Sequence, residues 1–226
     1  MADRYVDLSH ALEDATPVYP GDPNVRTEPA ARMADDGYRV TELALGSHAG
    51  THVDAPRHLL ADGRSLGDYP VERFAFEARR IDLTGLDPRQ PIEAEDLPAS
   101  DETETTDLLV CHTGWDAHWC TDRYRDHPYL SPAAARHCVE ADWNVAIDAP
   151  SPDPSPSPSA DEDEPEGFPA HQELLGANLV LVENLTNLDG VGVDRFRLLA
   201  FPLPLANADG APVRAVAVTE RAENPR

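Results

Sequence analysis

A chain of 226 residues is long enough to bury one substantial core, and at a formal net charge of −24, with all eighteen basic residues arginine, its surface is strongly acidic. Such a surface repels phosphate and anionic lipid, which excludes nucleic acid and a membrane face from the expected partners. No stretch approaches the roughly 20 uninterrupted apolar residues of a membrane-spanning helix.

Apolar or alternating runs predict strands at residues 5–8, 40–45, 80–83, 108–110, 145–147, 179–182, 198–201 and 213–218. Between them, Ser131 and Pro132 supply a cap and a first-turn proline for a helix over 133–141, and a short second helix is expected at 171–175. Strands and helices in no strict alternation indicate an α/β domain with a mixed sheet. Residues 149–169 are rich in Pro, Ser, Asp and Glu, including Asp161-Glu162-Asp163-Glu164, and read as a solvated loop. A loop of that length separating two candidate metal segments indicates one domain, 1–226, carrying an acidic insertion at about 150–168.

Several compositional signals concern environment. The start, Met1-Ala2-Asp3-Arg4-Tyr5, lacks the basic and then apolar run of a secretory signal, so a cytoplasmic protein is expected. Carboxylates that keep their water where screening shrinks to about 3 Å, at roughly 1 M salt, suit a halophile. Cys111, Cys120 and Cys138 form no C-x-x-C pair, which argues against a disulfide framework or a zinc ribbon.

The densest chemical signal runs from Gly46 to His58, with His48, His52, Asp54 and His58 inside eleven residues. Imidazole and carboxylate are ligands that zinc and manganese accept, and the His-x3-His-x-Asp spacing lets three side chains converge on one ion. Gly50 and Pro56 predict a turn-rich loop at a strand end. Surface histidines would explain any one of these residues, but not four together, and a structural zinc site would usually take cysteine. A metal-binding protein without catalysis, or an acidic interaction module with incidental histidines, are the readings from other classes.

The pattern His48-x-Gly50-Thr51-His52-x-Asp54-x-Pro56-x-His58 resembles the signature of the cyclase-like metal amidohydrolases, whose best-known members are bacterial kynurenine formamidases. Asp7-Leu8-Ser9, the run from Thr16 to Pro23, Thr113-Gly114-Trp115, Ile147 to Pro150, and His171 ahead of Glu183 extend the similarity over nearly the whole chain. The resemblance implies a swivelling β/β/α fold and two divalent ions, zinc first and manganese second. It implies that His48, His52 and Asp54 hold one ion, His171 the other, that Asp54 and Glu183 bridge them, and that His58 carries the proton. An imidazole with a pKa near 6.5 suits that last role near neutral pH. The implied reaction is hydrolysis of N-formyl-L-kynurenine to kynurenine and formate, by a homodimer or higher homo-oligomer. Tyr19, expected to stack on the substrate, stands where those enzymes typically carry tryptophan. The opening of isatin, a cyclic imide or a lactone is the alternative.

Overall fold

A computed structural model describes residues 3–99 and 105–220; residues 1–2, 100–104 and 221–226, including the ends of the expected domain, lie outside the described residues. Nine strands form one mixed sheet. In spatial order they are Asp3–Asp7, Val216–Glu220, Arg195–Leu199, Ala75–Asp82, Leu108–His112, Asn144–Ile147, Leu181–Glu183, His52–Asp54 and Gly210–Pro212. The run from Ala75–Asp82 to Leu181–Glu183 is parallel, and the strands on either side of it are antiparallel.

Parallel strands covered on both faces should be apolar throughout, and Leu108 to Cys111 are all fully buried. Their alternation divides the core. Leu108 and Val110 join a cluster to which all nine strands contribute, from Val6 and Ala217 to Val53 and Ala211, so the sheet curls around it. Leu109, Cys111, Val145, Ile147 and Leu181 face the other way, against Ala134, Cys138, Leu174 and Leu175 of two helices.

The first helix, Pro132–Glu140, begins as expected: Ser131 Oγ accepts from the Ala134 N–H at 3.1 Å. The second, Pro169–Gly176, has no side-chain cap from its own N-cap residue, Phe168. Its amides are satisfied from elsewhere in the chain, as described below.

Several expectations shift. Residues 52–54 form a strand inside the sheet and not part of a turn-rich loop, although Gly50 does take the left-handed conformation, with φ 65°. The strands expected at 80–83, 179–182, 198–201 and 213–218 occupy Ala75–Asp82, Leu181–Glu183, Arg195–Leu199 and Val216–Glu220. The segment after Ala149 is only partly solvated: Ser151, Asp153 and Ser155 are buried, while residues 158–163 are exposed. Each buried polar atom there finds a partner, which composition cannot reveal.

A hairpin, Arg26–Ala31 with Val40–Ala44, stands outside the main sheet, and every residue from Val40 to Ala44 is exposed. No helix among the described residues is long and apolar enough to cross a membrane.

Candidate active site

The His52–Asp54 strand sets the site. It is paired on one side with Leu181–Glu183, placing Glu183 opposite His52, and on the other with Gly210–Pro212. Because side chains alternate, Val53 points into the core beside Val182, while His52, Asp54 and Glu183 share the opposite face. His48 arrives from the preceding turn and His171 from the first turn of the second helix.

The two carboxylates are each divided between two groups of imidazoles. Asp54 Oδ1 lies 2.6 Å from His48 Nδ1 and 3.1 Å from His52 Nε2, whereas Asp54 Oδ2 lies 3.6 Å from His171 Nε2. Glu183 Oε2 lies 3.3 Å from His52 Nε2, and Oε1 lies 3.3 Å from His171 Nε2. Two sets of potential ligands result, His48–His52–Asp54 and Asp54–His171–Glu183, joined by Asp54.

Each imidazole is also held from behind. His52 Nδ1 lies 2.9 Å from the Gly50 carbonyl, His171 Nδ1 lies 2.6 Å from Asp153 Oδ2, and His48 Nε2 lies 3.0 Å from Asp209 Oδ2. An acceptor behind each ring holds an N–H there, so a cation that displaces the second proton meets the lone pair of the other nitrogen.

Burial and charge make the same point. His52, Asp54, His171 and Glu183 are all at most 5 % exposed. Asp54 Oδ2 and Glu183 Oε1 are buried with no hydrogen bond of acceptable geometry. Burial pushes the Asp54 carboxyl up, but His52 and His48 outweigh it and hold the group well below its usual range. Burial likewise opposes charge on His52, yet Asp54 and Glu183 hold that ring well above the ordinary imidazole value. Such a pocket calls for positive charge. Orphaned carboxylate oxygens beside imidazole lone pairs, with no thiolate, fit divalent metal ions.

His58 sits apart. It ends a short turn, Pro56–His58, with its ring 4.0 Å from that of His48 and its Nδ1 3.8 Å from Asp209 Oδ2. Burial lowers its pKa, opposed by Asp54 and Glu183 and helped by His48 and His171. His48, His58 and Asp209 also come together as a third, more exposed donor group.

These residues form the floor of a cleft of about 740 Å³, bounded by the loop around Tyr19, by Tyr124 and Arg125, and by Phe168. The Tyr19 and Phe168 rings lie 6.0 Å apart at 54°, forming an aromatic wall.

The cyclase family model matches residues 6–154. The chain belongs to the cyclase family. Within curated proteins it is 32% identical over 217 residues to the kynurenine formamidase of Geobacillus thermodenitrificans, covering 95% of this chain and 97% of that one. It is 33% identical over 214 residues to the kynurenine formamidase of Salinibacter ruber, covering 93% and 95%. An isatin hydrolase bound to the product analogue thioisatinate shares the fold at a TM-score of 0.83, with 24% identity over 97% of this chain and 93% of that one. The expected cyclase-like α/β fold with its mixed sheet is therefore the fold of this chain.

All five residues expected to bind metal, His48, His52, Asp54, His171 and Glu183, converge, with His58 beside them and Tyr19 on the cleft wall. Sequence reasoning missed Asp153, Asp209 and Phe168. Asp153 was read as part of a solvated run, and Asp209, in Ala208-Asp209-Gly210, has no other candidate ligand near it in the sequence. For Phe168 a signal existed: it is the one aromatic residue between the acidic run and the second helix.

Proposed function

We propose that this cyclase-family chain is a binuclear metal-dependent hydrolase that cleaves the formyl C–N bond of an aryl formamide, N-formyl-L-kynurenine first. The observation that carries the reading is the division of Asp54 and Glu183, each offering one oxygen towards His52 and the other towards His171. His48, His52 and Asp54 would hold one ion and His171 the second, with Asp54 and Glu183 shared. Zinc is the proposed metal, with manganese as the substitute. When bound, such a pair lowers the pKa of a water towards roughly 7 and polarises the scissile carbonyl.

The chain's own residues supply the rest. Tyr19 and Phe168 offer the aryl ring a slot. His58, neutral and beside the cluster, takes the proton of the attacking water and returns it to the leaving aryl nitrogen. The C–N bond breaks, and formate and the free arylamine leave. The curated relatives support formylkynurenine as the substrate.

The test is hydrolysis of N-formyl-L-kynurenine in high salt, followed by absorbance, on protein stripped of metal and then given zinc or manganese. Turnover that returns with metal is expected. None, despite bound metal, would sink the formamidase reading and direct the search to isatin, imides and lactones.

Four finer readings accompany this one. We propose a single domain over 1–226 located in the cytoplasm. The net charge of −24 supports function in concentrated salt, so activity should rise as salt screens the surface. A two-stranded hairpin standing alone is marginal in water, and exposed Met33, Tyr38, Val40 and Leu43 on it support a homodimer that covers it. Leu43→Asp should then convert the dimer to monomer by light scattering.

A further inference from the structure

The buried half of the acidic segment carries one group with no evident reason to be buried. Asp153 is 0% exposed, inside a run of Pro and Ser. Three donors converge on it: its Oδ1 accepts from the Ala170 N–H at 2.7 Å, and its Oδ2 accepts from the His171 N–H at 3.0 Å and from His171 Nδ1 at 2.6 Å. The first two are helix-start amides that the local N-cap residue leaves without a side-chain partner. The third fixes the ring of His171.

We propose that Asp153 is the positioning residue for His171, fixing the tautomer and ring angle that leave Nε2 facing Asp54 and Glu183. The proposal rests on reading His171 as a metal ligand. It differs from the support given to His52, whose rear nitrogen meets a neutral carbonyl. A carboxylate behind the ring makes the forward nitrogen more basic and a stronger donor to a cation. It also ties the ligand to the helix start, because one carboxylate both caps the helix and aims the side chain that leaves its first turn.

The segment that carries Asp153 is fastened for this task. His127 Nε2 meets Ser155 Oγ at 2.8 Å, the Ser151 hydroxyl accepts from the Asp153 N–H at 3.1 Å, and Arg89 pairs with Glu164 further along. Fixed on both sides, the carboxylate cannot follow a wandering ring.

Asparagine at this position tests the idea with little change of shape. Its amide has one oxygen where three donors converge, and its NH2 adds donors of its own. If the oxygen serves the helix amides, the NH2 faces Nδ1 and favours the tautomer whose proton sits on Nε2, against the cluster.

The experiment titrates zinc, against a competing chelator, into metal-free wild type and Asp153→Asn, and records the imidazole 15N shifts of the metal-free proteins at a pH where the His171 ring is neutral. The wild type should take two ions with His171 protonated at Nδ1. The variant should keep one affinity and lose about 10- to 100-fold in the other, with the Nε2-protonated form appearing. Asp153→Ser, which keeps a cap acceptor but no carboxylate, should show the same selective loss, and it decides the matter if Asp153→Asn does not fold. Wild-type affinity at both sites in either folded variant, or an unchanged tautomer, overturns the proposal. A wild type that takes no divalent ion overturns the hydrolase reading itself, and this inference with it.

Discussion

Acidification should weaken the fold through His127, and the size of the effect follows from its surroundings. This ring is 1% exposed, with Nδ1 2.8 Å from the Pro128 carbonyl and Nε2 2.8 Å from Ser155 Oγ. A neutral imidazole with its proton on Nδ1 satisfies both contacts. Burial pushes its pKa down to about 4, and the Pro128 carbonyl offsets this only in part. The unfolded chain, near 6.5, therefore takes up the proton first, so the stability is present above pH 6.5 and is lost as the pH falls towards 4. Integrated between roughly pH 7.5 and 4.5, the single group contributes about 2 to 3 kcal/mol. His127→Gln removes the titration. Urea unfolding across that range should show the wild type losing about 2 to 3 kcal/mol more than the variant, after any constant offset from the lost hydrogen bond. Parallel curves for the two proteins would refute the reasoning. Ser155 belongs to the segment that carries Asp153, so the same protonation should loosen the support behind His171.

Replacing His58 with Ala should cut turnover by about 10²- to 10⁴-fold while the bound metal stays at the wild-type level by elemental analysis; loss of metal would place His58 among the ligands. A Cβ added at Gly210 would lie 2.5 Å from His48 Cε1 and 3.0 Å from the Val53 carbonyl. Gly210→Ala should thus displace His48, weaken zinc binding and cost about 1–3 kcal/mol in thermal unfolding, and an unperturbed affinity would count against the placement of His48. Tyr19→Ala should raise KM for an aryl formamide several-fold, whereas Tyr19→Trp should hold or lower it; equal KM values in all three proteins would remove Tyr19 from the substrate wall.

What the sequence revealed and what it hid divide along physical lines. The candidate ligands were legible because metal chemistry demands particular side chains, and His48, His52 and Asp54, with His58 beside them, crowd one short segment. The strand within that segment was not. His52-Val53-Asp54 is only three residues long, and its polar face looks into the site where solvent would be expected. Cap and helix at Ser131 were legible because their signals are local. Asp153 was hidden for the opposite reason: its partners stand 17 and 18 residues away, and serine, proline and aspartate look alike whether they face water or a buried amide. Arg26–Ala31 escaped notice because Arg-Thr-Glu-Pro-Ala-Ala shows no apolar alternation and carries a proline.

The double pairing of the His52–Asp54 strand has a consequence for how this family can diversify. His52, Asp54 and Glu183 stand on a ladder, and the His52–Asp54 strand is stitched to neighbours on both edges, whereas Tyr19 stands on a loop, Arg125 in the short helical turn Asp122–Asp126 and Phe168 just before the second helix. A change in the loops can reshape the cleft without altering the register that aligns Glu183 with His52. Shape and register are thereby assigned to different parts of the chain: the rim of the cleft can be remodelled while the floor keeps its geometry.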